Sequence, residues 1–144
     1  MELATKKLNA VSLILRASQS IQDVISKDAA RYELNPKEFA VLELLYHQDD
    51  QPIQMIGKKV LISSSSITYV VDKLEQKKIV VRKACPEDRR VTYAGLTSLG
   101  KTLMNQIFPQ HEKKLEQIFE QLLDEDIDNM IELLKQIGCR AKQV

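Results

Sequence analysis

Apolar positions recur at helical spacing through most of the chain. From about Leu3 to Arg31 they fall on two tracks, Leu8, Val11 and Leu15 on one and Ile14, Ala17, Ile21 and Val24 on the other. That pattern predicts a long helix wet along only one stripe. Asn35-Pro36-Lys37-Glu38 opens a second helix: Asn35 caps it, Pro36 takes the first helical position, and Glu38 reaches back to the cap amide. Phe39, Leu42 and Leu45 carry this helix to about Tyr46. The polar stretch from His47 to Pro52 interrupts the period, and Ile53, Ile56 and Val60 then predict a helix of one to two turns. Ser63-Ser64-Ser65-Ser66 precedes Ile67, Val70, Val71 and Leu74, a serine-capped helix whose four apolar residues are expected in the core. Short helix, brief turn and a second helix with a polar start make a helix-turn-helix.

After Lys78 the period shortens. Ile79-Val80-Val81-Arg82-Lys83 and Val91-Thr92-Tyr93-Ala94 are β-prone runs on either side of Cys85-Pro86-Glu87-Asp88-Arg89-Arg90, and they predict a hairpin placed as a wing. Thr97-Ser98 restarts helix with Leu99, Leu103 and Ile107. Pro109 is expected to kink this helix rather than end it, because Leu115, Ile118, Phe119 and Leu122 resume the period. A last helix follows Asp124 with Ile127, Met130, Ile131 and Leu134. The predicted fold is mainly α with a small β-hairpin wing, a winged helix-turn-helix. The terminal helices carry more apolar stripe than so small a unit can cover, so they either pack onto it or meet the same helices of a second chain.

A length of 144 residues fits one domain that buries about two thirds of its unfolded surface. Aromatic residues are scarce and tryptophan is absent, which makes sandwiches and barrels improbable. No apolar run approaches the roughly 18 to 20 residues of a bilayer span, and the first residues lack a signal-peptide core, so a cytoplasmic protein with no membrane partner is expected. The net charge of +1 conceals an asymmetry. Between Gly57 and Arg90 nine basic side chains face four acidic ones, whereas from Glu112 to Glu132 eight acids face two lysines. A basic patch of this kind is the electrostatic footprint of a nucleic-acid partner.

The candidate partner is therefore duplex DNA. Ser64, Ser65, Ser66, Thr68, Tyr69 and Lys73 would face base edges and phosphates from the helix, and Arg82, Lys83, Asp88, Arg89 and Arg90 would act from the wing. An arginine at a hairpin tip suits the negative potential of the minor groove, and Asp88 is placed to hold one of the two in pose. The plainer alternatives are a solvated serine-rich helix start and a charged turn. Cys85 is a candidate effector or redox thiol, open to oxidation or to alkylation by an electrophile such as a quinone, with Arg82 and Lys83 favouring thiolate. Its alternative is an incidental residue at a strand end, and Cys139 reads as inert. His47 and His111 have no metal-like partner nearby and read as surface or helix-end residues. No phosphate loop, nucleophile elbow or zinc signature appears, so no cofactor, metal or catalytic residue is expected and an enzyme is disfavoured.

The order of the Asn35-Pro36 helix, Ile56-Gly57, the run Ser66 to Glu75, Asp88-Arg89-Arg90 and Leu96-Thr97-Ser98-Leu99-Gly100-Lys101 resembles the MarR family of bacterial regulators nearly end to end. Its quinone- and electrophile-responsive members are part of that likeness. The resemblance implies a single MarR-type domain over 1–144, with a winged-helix lobe at about 35–97 and dimerisation helices at about 3–31 and 98–139. It further implies a homodimer on a palindromic DNA operator, repression released by a small-molecule effector or thiol chemistry, Arg90 as the wing's DNA contact and Asp88 as its support. Leu15, Phe39, Leu42 and Leu103 are the guessed effector cleft. The family usually carries glycine after the recognition helix, where this chain has Lys77-Lys78, and some relatives place a sensing cysteine near the N-terminus, where this chain has none. The competing functions are a helical protein-interaction module using the acidic C-terminal helices, and a ligand or redox switch without DNA binding.

Overall fold

Three polar side chains start three helices where the sequence expects them. In the computed structural model, which describes residues 2–144, Asn35 and Glu38 form a reciprocal capping box, with Glu38 N donating to Asn35 Oδ1 at 2.8 Å and Asn35 N donating to Glu38 Oε1 at 3.0 Å. Ser63 Oγ accepts from Ser66 N at 3.3 Å, and Thr97 Oγ1 accepts from Gly100 N at 3.0 Å. The helices are α1 (Leu3–Ala30), α2 (Pro36–Gln48), α3 (Ile53–Lys59), α4 (Ser64–Gln76), α5 (Ser98–Glu116) and α6 (Asp124–Ala141), with one 3-10 turn at Gln117–Phe119. Pro109 lies inside an unbroken α5.

The wing hairpin pairs β2 (Val80–Ala84) with β3 (Thr92–Leu96), with Arg82 opposite Ala94. A third strand, β1 (Gln51–Pro52), adds to the other side of β3 in the order β1-β3-β2. The polar stretch read as a mere interruption thus closes the sheet, and its proline is tolerated because β1 is an edge. Phe39, Leu42 and Leu45 from α2, Ile56 from α3, Ile67, Val71 and Leu74 from α4, Val80 and Ala94 from the sheet, and Met104 and Ile107 from α5 form one core.

The wing is fixed at its root. Thr97 N donates to Ile79 O at 3.1 Å and Thr97 Oγ1 donates to Lys78 O at 2.7 Å. A methyl group at Gly100 would sit 2.2 Å from Ile79 O, and one at Gly95 would strike the Asp50 carboxylate that lies across β3. At Gly100 the obstacle is backbone and only glycine fits, whereas at Gly95 the Asp50 side chain would have to turn away.

Helix α1 is little covered within one chain, as the second of the two arrangements expected for the terminal helices requires. Its residues through Ser20 are exposed apart from the half-covered Ser12 and Ile14, and only Asp28 and Ala29 are buried. Among the described residues, α6 buries none. The α1 track of Leu8, Val11 and Leu15 and the amphipathic α6 are left without cover inside one chain, while Ile14, Ile21 and Val24 are half-covered.

Helices α1, α3 and α4 end in left-handed residues without glycine: Glu33, Leu61 and Lys78 have φ of 60°, 60° and 65°. After α4, Lys78 N donates to Glu75 O at 2.9 Å and Ile79 N to Leu74 O at 3.2 Å, a Schellman turn in which Ile79 and Leu74 are both buried. Lysine therefore takes the glycine conformation itself, at a steric cost of about 1 kcal/mol. The variant Lys78→Gly is expected to raise unfolding free energy by about 1 kcal/mol in urea titrations, and a destabilised variant would show that the lysine side chain compensates for the strain.

Candidate nucleic-acid interface

Helix α4 separates its residues by face. Ile67, Val70, Val71 and Leu74 are buried, while Ser64, Ser65, Thr68 and Tyr69 are exposed on the opposite side. Ser66 and Lys73 are half-buried at its margins, and Lys73 Nζ lies 5.3 Å from the centroid of the Tyr69 ring, within cation–π range. The outward face thus consists of short hydroxyls at the helix start, one aromatic ring and a cation.

On the wing, Asp88 Oδ1 accepts from Arg90 N at 3.0 Å and from Arg90 Nε at 3.2 Å, while Asp88 Oδ2 accepts from Nη2 at 3.4 Å. The Arg90 side chain is nevertheless 91% exposed, so its pose is set while its charge faces solvent. The Arg90 amide first, and its guanidinium second, hold the Asp88 carboxyl below its ordinary range. The stabilisation is therefore complete above the ordinary aspartate pKa of about 3.9 and is lost only as pH falls through the lowered value. Arg89 is exposed beside it.

Helix and wing share one cleft of about 400 Å³, where Thr68 of α4 and Arg90 of the wing meet Gln54, Met55 and Lys58 of α3. Sequence reasoning passed over Gln54 and Lys58, although the first helix of a helix-turn-helix lies along the phosphate backbone and Lys58 opens the basic stretch.

Arg82 lines the same cleft, but its guanidinium is already paired with carboxylates of α4. Its Nη1 lies 2.6 Å from Glu75 Oε1, its Nη2 2.6 Å from Asp72 Oδ1 and 3.4 Å from Thr68 O, and its backbone N donates to Glu75 Oε2 at 3.1 Å. Partial burial opposes its charge, but the hydrogen bonds and negative charges of Asp72 and Glu75 outweigh that and raise its pKa. Arg82 thus fastens β2 to α4, because two carboxylates of the recognition helix already occupy its fork. Lys83 pairs with Asp50 at 2.8 Å, an exposed pair worth about 0 to 1 kcal/mol and therefore easily exchanged for a phosphate.

Cys85 is half-buried where the wing loop leaves β2, and the two cations expected to favour its thiolate both face carboxylates. Cys139 is exposed on α6. His111 overturns the surface assignment: its Nδ1 lies 2.7 Å from Asp28 Oδ2, and both side chains are 1% exposed. The Phe39 ring stands 4.3 Å from the imidazole, and Arg31 Nη1 reaches the other Asp28 oxygen at 3.2 Å. The partner lies on α1, far away in sequence, which no local spacing rule detects. The guessed effector cleft also separates, since Phe39 and Leu42 are core, Leu103 is half-buried and Leu15 is exposed. Among the described residues no helix is long and apolar enough to cross a membrane.

Comparison with known proteins converges on one group. Residues 34–92 match the MarR family. The chain is 49% identical over 141 residues to the HTH-type transcriptional regulator MhqR of Bacillus subtilis strain 168, covering 98% of this chain and 97% of that one. Among solved structures it is similar to AbsC, a MarR family transcriptional regulator from Streptomyces coelicolor, with a TM-score of 0.87 at 22% identity, covering 100% of this chain and 99% of that one. It is also similar to Sco3205 from the same organism, solved in complex with DNA, with a TM-score of 0.84 at 22% identity and coverage of 96% and 88%.

Proposed function

Because the chain belongs to the MarR family and is a transcriptional regulator of helix-turn-helix type, we propose that it works in the cytoplasm as a homodimeric repressor rather than as an enzyme. Each winged-helix lobe, about residues 35–97, takes one half of a palindromic operator. Ser64, Ser65, Ser66, Thr68, Tyr69 and Lys73 meet the major groove, Arg89 and Arg90 the flanking minor groove, and Lys83 a phosphate. Asp88 supports Arg90, and Arg82 positions the wing. The observation that carries this reading is that Arg90, fixed by Asp88 yet exposed, lines the same cleft as Thr68 of the recognition helix. A second copy accounts for the uncovered apolar residues, among them Leu8, Val11 and Leu15 on α1 and Ile131, Leu134 and Ile137 on α6.

Release follows from the same architecture. Dimer helices set the separation of the two recognition helices, so an effector that binds better to the wrong separation lowers occupancy. The groove of about 390 Å³ between α1 and α2, lined by Gln22, Ile25, Ser26, Pro36 and Ala40, lies between arm and lobe and is the place we assign to a small molecule. Cys85 is the site we assign to an electrophile, so Cys85→Ser is expected to keep operator binding and lose release by benzoquinone.

Selection from random duplexes at two salt concentrations, with thiols reduced, tests the reading. An inverted repeat is expected, with half-sites about one helical turn apart, and with about 6 to 10 phosphate contacts affinity falls roughly 10³- to 10⁵-fold from 50 to 200 mM salt. Recovery of no sequence preference would refute it. On the selected operator, Arg90→Ala is expected to weaken binding by about 1 kcal/mol or more per site and to reduce the salt slope, with the thermal midpoint unchanged because Arg90 is exposed. Unchanged affinity would remove Arg90 from the interface.

A further inference from the structure

The corner between α1 and α2 is tied on both sides. Toward α5, Asp28 meets His111 and Tyr32 Oη donates to Gln110 Oε1 at 3.0 Å. Toward α4, the Lys77 ammonium donates to the carbonyl of Glu33 at 3.0 Å and pairs with Glu38 Oε2 at 2.9 Å. Lys77 is the residue that caps the C-terminus of α4, its own amide donating to Lys73 O at 3.2 Å.

Both groups that hold Lys77 are themselves fixed. Glu33 is the left-handed residue closing α1, flanked by the bonds Glu33 N to Ala30 O and Leu34 N to Ala29 O, each 3.1 Å. The Glu38 side chain is nearly buried, and its other oxygen accepts the Asn35 amide in the capping box of α2. The corner therefore moves as one piece with the end of α1, and Lys77 transmits that position to the recognition helix.

We propose that Lys77 is a positioning residue that sets the angle of the recognition helix against the dimerisation arm, so that it governs which half-site spacing the dimer accepts. The inference rests on the homodimeric reading above. Leverage makes the tie matter. Helix α4 is about 20 Å long, so a tilt of about 10° at Lys77 moves Ser64 to Ser66 by roughly 3.4 Å, one base-pair step. A dimer gains from its second half-site only where both helices fit at once.

The test is selection by the full-length protein from a library of inverted half-sites whose separation varies one base pair at a time. Wild type and Lys77→Arg, which keeps both donors, are expected to enrich one separation by about tenfold or more over its neighbours. Lys77→Met and Glu38→Gln are expected to flatten that profile to about threefold or less, with the half-site sequence and single-half-site affinity unchanged. Glu38→Gln keeps an acceptor for the Asn35 amide and serves as the test should Lys77→Met fold poorly. A wild-type spacing profile in a folded variant, even at lower affinity, overturns the proposal. A wild-type protein with no preferred separation removes the dimeric reading itself.

Discussion

The His111→Leu variant is expected to unfold about 3 kcal/mol more easily than wild type in urea titrations at a fixed protein concentration. Removing the imidazole leaves the Asp28 carboxylate 1% exposed and short of its closest partner, and an uncompensated buried charge typically costs about 3 to 5 kcal/mol. The lower end applies here because Arg31 reaches the other carboxylate oxygen at 3.2 Å from a half-exposed position. Leucine retains packing against Phe39, so the loss reads the charge rather than a cavity. Removing both partners in Asp28→Leu/His111→Leu should recover part of the loss, since an apolar replacement of a buried pair is often close to neutral. A loss below about 1 kcal/mol in His111→Leu would mean that water reaches Asp28 and that the pair is not a buried joint.

Ile131→Glu/Leu134→Glu is expected to be a monomer by sedimentation and to bind the operator about 10²- to 10⁴-fold more weakly, the margin that linkage of two sites supplies. Both side chains are exposed in the single chain, and α6 places no residue in the core. Helical content measured by circular dichroism is therefore expected to fall by no more than α6 itself. A variant that stays dimeric would assign the apolar stripe to another partner, and a variant that loses the whole fold would show that the arms support the lobe.

The elements legible in the sequence are those specified by local chemistry. Asn35, Ser63 and Thr97 accept from amides three residues on, and Ile67, Val70, Val71 and Leu74 sit at helical spacing, so short windows contain the whole cause. Strand β1 was not legible because two residues carry no period and their partners, Tyr93 and Ala94, lie far along the chain. The burial of His111 and the pairing of Arg82 were not legible for one reason: each meets carboxylates brought near by folding, Asp28 in the first case and Asp72 with Glu75 in the second. The departure at Lys77-Lys78 was visible as a missing glycine, yet the Schellman hydrogen bonds form without it, with Leu74 and Ile79 both buried beside them. The outward face of α4 and the Asp88-Arg90 pair were open to view because their spacing is two to five residues.

The fixed wing root has a thermodynamic consequence. The Thr97 hydrogen bonds and the pairing of β2 with β3 hold both strands where they enter the lobe, so adjustment to a groove is confined to residues 85 to 91 beyond the paired strands. Within that loop the Asp88 turn and the bond from Cys85 N to Val91 O already restrict the backbone. Ordering a free residue costs about 1 to 2 kcal/mol of entropy, and here most of that has been lost at folding. Calorimetry of the wing's contact should therefore show a small entropic penalty for ordering. Such a wing fits a narrow range of groove widths closely, so discrimination among flanking sequences would come from the deformability of the DNA and not from adaptation of the protein.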